Sequence, residues 1–259
     1  MTENQVQNKR IELKYLIDAD LSQEIRAWAR EHLGVDSHCD DAMGDSYEVN
    51  TLYLDTPELD LFYGTSKVGK AKHRIRRYGD NATLWVETKR KKSYVVNKNR
   101  TAASEEETVS RLTNLADQSP WCGDWFAARI IERRMHPTIQ VHYRRFARTS
   151  TLSTNHLRLT IDSRLQTSPA NGWNVASTSD RANQSQRVSA TDVEILELKF
   201  QNQMPHLFKE LLRTYAIAET GFSKYRTSVK CGMGFDPVTN ASSMTGNQSH
   251  AMPEEPSHA

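Results

Sequence analysis

Hydrophobic and polar positions alternate with a period of two along much of the chain, the pattern of strands with one dry and one wet face. Residues 9–17 (KRIELKYLI) set Arg10, Glu12 and Lys14 on one side and Ile11, Leu13 and Tyr15 on the other. Residues 47–55, 72–78, 83–91, 138–146, 156–162 and 193–200 also read as strands, and 94–96 adds a short one, about eight in all. Gly79-Asp80-Asn81-Ala82 joins 72–78 to 83–91 as a hairpin turn. Helical spacing interrupts this pattern in four places. Asp20 caps a predicted helix over 21–33, with Leu21, Ile25 and Trp28 on one side and Gly34 closing it. Ser104 and Glu107 form a capping box before Val109, Leu112 and Leu115. Pro120 suits the first turn of a helix through Trp125 and Ile131, ended by Pro137, and Pro205 opens an amphipathic helix with Leu207, Phe208, Leu211, Leu212 and Tyr215.

Residues 166–192 are poor in large apolar side chains and read as a long exposed loop. Residues 1–234 form one predicted domain, and 235–259, with three prolines and no aromatic beyond Phe235, a disordered tail. The strands carry Lys, Arg and Glu on a face where a filled barrel needs Val and Leu. The predicted fold class is therefore α+β, mainly β: an eight-stranded antiparallel closed tunnel barrel with flanking helices and a charged interior. Such an interior is stable only if its charges pair with one another or bind ions and phosphates.

Charge sharpens this picture. Residues 70–100 hold 11 Lys or Arg and two acids, Asp80 and Glu87, leaving 23 basic and 30 acidic residues elsewhere for a net charge of +2. Alternation puts Lys72, Arg74 and Arg76 on one face of the first hairpin strand. It puts Trp85, Glu87, Lys89 and Lys91 on one face of the second. Basic rows on neighbouring strands repel unless a polyanion lies between them. Concentrated charge suits a compact anion better than a nucleic acid. RNA binding also asks for exposed stacking aromatics, and Tyr78 and Tyr94 are too few. Cys39, Cys122 and Cys231 lie far apart in no CxxC pattern, which argues against a zinc site or a disulfide framework. The opening MTENQVQNKR lacks the apolar core of a signal peptide, and no run nears the ~20 apolar residues of a membrane span. The expectation is a cytoplasmic protein, able to sit at the inner face of a membrane through a membrane-protein partner; its oligomeric state is open.

Six short motifs occur in order: Arg10-Ile-Glu12-Leu-Lys14-Tyr15, Leu52-Tyr53-Leu54-Asp55-Thr56, Arg74-Ile-Arg76-Arg-Tyr78-Gly79, Glu87-Thr-Lys89, Leu196-Glu197-Leu-Lys199 and Ser223-Lys224-Tyr225. Together they resemble the VTC domain, the polyphosphate polymerase domain of the vacuolar transporter chaperone type, related to the CYTH or triphosphate tunnel metalloenzyme superfamily. The resemblance spans residues 9–233. It implies a tunnel in which the γ-phosphate of ATP passes to a growing inorganic polyphosphate with Mn²⁺ or Mg²⁺. Carried over by residue, it implies Lys14, Arg74, Arg76, Lys89, Arg145 and Lys224 as catalytic phosphate ligands. Lys98, Arg100 and Arg158 follow as substrate-binding residues, and Glu197 as the metal-holding carboxylate. Arg10 and Lys199 join the substrate set as neighbours on the charged faces. Glu12 is a second metal candidate, with pairing to Arg10 or Lys14 as its plainer role. Tyr53-Leu54-Asp55 reads as structural, with Asp55 capping the next turn; Asp162 is a metal candidate or the holder of Arg158. The adjacent Arg144 and Arg145 leave open which one enters the tunnel. The 166–192 loop is longer than the family leads one to expect. The alternatives are a tunnel triphosphatase, which usually opens with Glu-x-Glu-x-Lys where this chain has Arg10, and a non-catalytic polyphosphate-binding module.

Overall fold

The computed structural model describes residues 10–39, 43–65, 71–92, 95–117, 119–150 and 157–234. The expected tail 235–259, Tyr94 and His156 lie outside them. In chain order the elements are β1 (Arg10–Ile17), α1 (Ala19–His32), β2 (Gly34–Val35), β3 (Ser46–Asp55), α2 (Asp60–Tyr63), β4 (Ala71–Tyr78), β5 (Thr83–Lys92) and β6 (Val95–Ser104). Then come α3 (Glu105–Thr113), α4 (Asp124–Glu132), β7 (His136–Thr149), β8 (Arg158–Pro169), α5 (Arg181–Gln184), β9 (Val188–Ser189), β10 (Glu194–Gln201), α6 (His206–Thr214) and α7 (Lys224–Gly232).

Every pairing is antiparallel, in the order β7-β3-β4-β5-β6-β1-β10-β8, with β8 also pairing with β7. Eight long strands thus curl round, and β2 and β9 are two-residue additions. The expected uninterrupted closure is not what the pairing gives: among the described residues, β1 and β6 meet only at Ile11 and Val95. The sheet is an open half-barrel along that seam, with helices outside it.

The alternation places the apolar residues outward. One core packs Leu52, Leu54, Ile75, Leu84 and Val86 with Leu112, Phe126 and Ile130 from α3 and α4. A second packs Leu13, Leu159, Leu196 and Leu198 with Ile25 of α1 and with Phe208 and Leu211 of α6. Each such buried side chain contributes roughly 1.5–3 kcal/mol. The apolar cores therefore lie on the outer side of the sheet, and the inner side is left to charge.

Several local expectations are corrected. Asp18, not Asp20, caps α1, because its carboxylate accepts from the Leu21 N–H at 2.8 Å. The helix after Pro120 starts only at Asp124, whose carboxylate accepts from the Trp121 N–H at 3.0 Å. Pro137 ends nothing; it sits within β7 where the register against β3 shifts, a place where a missing N–H is tolerated. Nor is 166–192 simply an exposed loop. β8 runs on to Pro169, and buried Arg77 donates to the Val175 carbonyl and pairs with Glu105, drawing Val175 and Ala176 into the structure. Ser104 caps α3 as expected, accepting from the Glu107 N–H.

Candidate functional site

The hairpin of β4 and β5 delivers the first wall. Register places Arg74 opposite Glu87 and Lys72 opposite Lys89. Glu87 is fully buried, accepts from Arg74 Nε at 2.8 Å, and is ion-paired with Lys98 at 2.6 Å, Arg100 at 3.2 Å and Arg76 at 3.9 Å. Burial would raise its pKa, but the Arg74 and Arg76 guanidiniums hold it far below the usual carboxylate range. Burial pushes Lys98 down to about 7 against the pull of Glu87, with Arg76 and Arg74 adding to the fall. Lys72 falls to about 8 by burial beside Lys14 and Arg74. A wall this rich in cations holds its lysines partly uncharged until an anion arrives.

The facing wall comes from β1, β7, β8, β10 and the first turn of α7. Glu197, 3% exposed, takes Lys199 at 2.8 Å, Lys224 at 2.9 Å, Lys14 at 3.2 Å and Arg145 at 3.6 Å. Asp162 receives Arg145 through two bonds, at 2.6 and 2.7 Å, and Lys224 at 2.5 Å. Glu12 receives Lys89 at 2.7 Å and stands 3.8 Å from Lys14. All three carboxyl groups are held low against the effect of burial by these cations. Ser223 caps α7 and also accepts from Lys72 at 2.7 Å, which aims the positive end of that helix into the same space.

Between the walls lies a cavity of about 220 Å³. Eight basic side chains line it, Lys14, Lys72, Arg74, Arg76, Lys89, Arg145, Lys199 and Lys224, against three acids, Glu12, Glu197 and Glu219. Tyr53, Tyr143, Thr220, Gly221 and Phe222 complete the lining. Burial would raise the Tyr53 phenol, yet Arg74 and Lys72 bring it down to about 8. The buried Tyr143 hydroxyl has no hydrogen-bond partner among the described residues, so a ligand oxygen there would satisfy it. No Ser, Cys or His lines the cavity. His73 packs near Phe126, and His142 holds Asn50 and Ser168.

The sequence profile of the VTC domain matches residues 9–233. The chain belongs to the VTC domain family. No curated protein matches its sequence. Among solved structures, it is similar to an adenylate cyclase candidate of Bacillus halodurans, at 15% identity and a TM-score of 0.49, covering 83% of this chain and 94% of that one. It is also similar to a Hippeastrum adenylyl cyclase candidate described as having a dominant triphosphatase activity, at 13% identity and a TM-score of 0.49, covering 87% and 96%.

Of the residues expected from the sequence, Lys14, Arg74, Arg76, Lys89, Arg145, Lys199, Lys224, Glu12 and Glu197 line one cavity. Arg145 rather than Arg144 enters it, on the same face of β7 as Tyr143 two residues before; Arg144 reaches the Met43 carbonyl on the other side. Lys98, Arg100 and Arg158 form a further cluster around Tyr47, Tyr78 and Trp85: Arg158 donates to the Tyr47 hydroxyl at 2.8 Å, and Arg100 lies 3.4 Å from the Trp85 ring centre. Arg10 is exposed at the start of β1, opposite Gln201, and lines no part of the cavity. Asp162 does not hold Arg158; Asp36 does, at 2.6 Å. Glu12 pairs with Lys89 as well as Lys14, a contact between β1 and β5 that spacing within β1 cannot reveal. Lys72 joins the lining, as its place on the Arg74 face allowed; Asp36, Tyr53 and Thr220 had no local signal.

A divalent cation has a limited donor set here. Among the described residues no three His, Cys, Asp or Glu side chains are arranged to hold a metal. Glu197 lies close enough to Glu12 to work against the lowering of its pKa by the nearby lysines. Mg²⁺ and Mn²⁺ sites of one or two carboxylates completed by substrate phosphates and water need no more than this pair. The residues fit a metal that arrives with a phosphate chain.

Proposed function

We propose that this VTC domain is a metal-dependent polyphosphate polymerase, transferring the γ-phosphate of ATP onto a growing polyphosphate chain and releasing ADP. The observation that carries this reading is the meeting of eight cations in one cavity. Phosphoryl transfer asks for positioning and charge neutralisation rather than covalent help. Arg74, Arg76 and Arg145 can clasp phosphate oxygens through two bonds each, while Lys14, Lys72, Lys89, Lys199 and Lys224 act as point charges. Glu12 and Glu197 would hold Mn²⁺ or Mg²⁺, which when bound offsets the charge of the phosphate oxygens.

The balance of the reaction favours a phosphate acceptor over water. An anionic terminal oxygen of polyphosphate attacks the γ-phosphorus, the bond to the β,γ-bridging oxygen breaks, and its electron pair leaves with ADP. No proton has to be removed. Water as the acceptor would need a base, and the buried carboxylates here are held by cations far below the range of an effective one, which leaves that role to Lys72 or Tyr53 at about 8. A polymerase also needs a path that encloses the polyanion, and substrate bound across both walls would draw the half-barrel into a closed tunnel.

Incubation with ATP and Mn²⁺ or Mg²⁺, with and without a short polyphosphate primer, tests this on gels that separate polyphosphate from orthophosphate. The expected outcome is a polyphosphate ladder with ADP, lost in Glu197→Gln and Arg76→Ala. Orthophosphate alone would make the protein a triphosphatase. Intact ATP with retained polyphosphate binding would make it a receptor.

A further inference from the structure

The cavity opens beside a feature that phosphate chemistry leaves unused. Phe62, Tyr63 and Phe222 line a groove of about 590 Å³, with Arg226 and Lys230 also on its walls. Gly221 and Phe222 wall both this groove and the basic cavity, so the two lie side by side. Tyr63 is 61% exposed, and its ring packs edge-on to Phe62 at 4.9 Å.

The fold holds this aromatic turn rigidly. The Asp55 carboxylate accepts from the Leu61 N–H at 2.9 Å, the Phe62 N–H at 3.0 Å and the Tyr225 hydroxyl, tying the turn to α7. Asp60 holds Thr56 and Thr65 around it. Gly64 closes the turn at φ 75, and a Cβ there would stand 2.9 Å from the Arg226 guanidinium, so only glycine leaves room for that side chain. The far end of the cavity is different. Tyr78 and Lys72 are six residues apart on β4, about 20 Å. At the Tyr78 end Arg100 already covers Trp85, and Tyr47 is buried.

We propose that the groove of Phe62, Tyr63 and Phe222 is a nucleoside subsite: the base of the donor nucleotide stacks there while its phosphates run inward past Lys72 and Lys224. An aromatic surface flanked by cations accepts any base face, because stacking needs no hydrogen-bond readout. The proposal rests on the reading that the donor is a nucleoside triphosphate.

Calorimetric binding with Mg²⁺ of non-hydrolysable AMP-PNP and of inorganic tripolyphosphate, which has no base, separates the contributions. Tyr63→Ala should weaken AMP-PNP about tenfold, or 1.4 kcal/mol. Tripolyphosphate should stay within about twofold, which also reports an intact cavity, and Tyr63→Trp should keep AMP-PNP binding. Equal losses for both ligands, or no loss for either, overturn the subsite. Wild-type protein that binds tripolyphosphate but not AMP-PNP overturns the donor reading and the subsite together. Binding that depends on the aromatics, without polyphosphate formation, upholds the subsite and overturns only the polymerase.

Discussion

Glu87 and Glu197 are buried carboxylates on facing walls, each in contact with four cations, and they differ in company. Glu197 shares Lys14, Lys224 and Arg145 with Glu12 or Asp162, whereas Arg74, Arg76, Lys98 and Arg100 meet Glu87 as their one carboxylate among these contacts. The Glu197 wall sets three carboxylates, with Glu12 and Asp162, against Lys14, Lys89, Arg145, Lys199 and Lys224, and the Glu87 wall one carboxylate against four cations. One barrel thus has a more and a less compensated side, and the difference lies in carboxylate count rather than in lysines and arginines.

The largest effects should come from removing one group on each wall. Glu197→Gln and Arg76→Ala should each lower the transfer rate by roughly 10²–10³. Titrating metal separates them: Arg76→Ala keeps the metal response of the native protein, and Glu197→Gln flattens it. Identical metal responses in both variants would erase the distinction between the walls.

Next in size, Glu87→Gln leaves four cations facing one another in a buried space and should destabilise the fold by about 3 kcal/mol. Thermal melts with added tripolyphosphate should recover more of that loss than the same addition gives the native protein. An unchanged melting temperature would mean the surplus is already screened.

The pH dependence of binding is smaller and has a definite sign. Lys98 at about 7 and Lys72 at about 8 are partly deprotonated in the free protein near neutrality. A bound polyanion raises both, so the complex holds more protons and tripolyphosphate affinity rises as pH falls from about 9, levelling below about 7. Calorimetry in buffers of different ionisation enthalpy measures the uptake, and Lys98→Met should remove its lower-pH part. Zero uptake would break the picture of a surplus wall.

The smallest effect should be Arg144→Ala, which leaves transfer within about twofold, while Arg145→Ala, one residue on, abolishes it. Comparable losses would mean that Arg144 also reaches substrate.

The hairpin was readable from sequence because both its turn and its alternation are local: Arg74, Arg76, Glu87 and Lys89 fall on the side expected of them. Asp55 capping the next turn was equally local, and its carboxylate meets the Leu61 and Phe62 N–H groups as expected. The position of Arg145 was not readable, since alternation puts it and Arg144 on opposite faces of β7 without saying which face turns to the cavity. Nor were the partners of Asp162 and Arg158, which come from strands and loops distant in sequence.

The sequence by itself determined which side chains travel together, since a strand's two-residue period is a property of the backbone alone. It also determined the family, through six motifs in order. Tertiary structure alone decided which cation faces which carboxylate, that Arg10 stays outside, and that an aromatic turn after β3 stands beside a cavity lined from β1, β4, β7 and β10. Those outcomes depend on register and curvature between strands far apart in the chain, which no local spacing encodes.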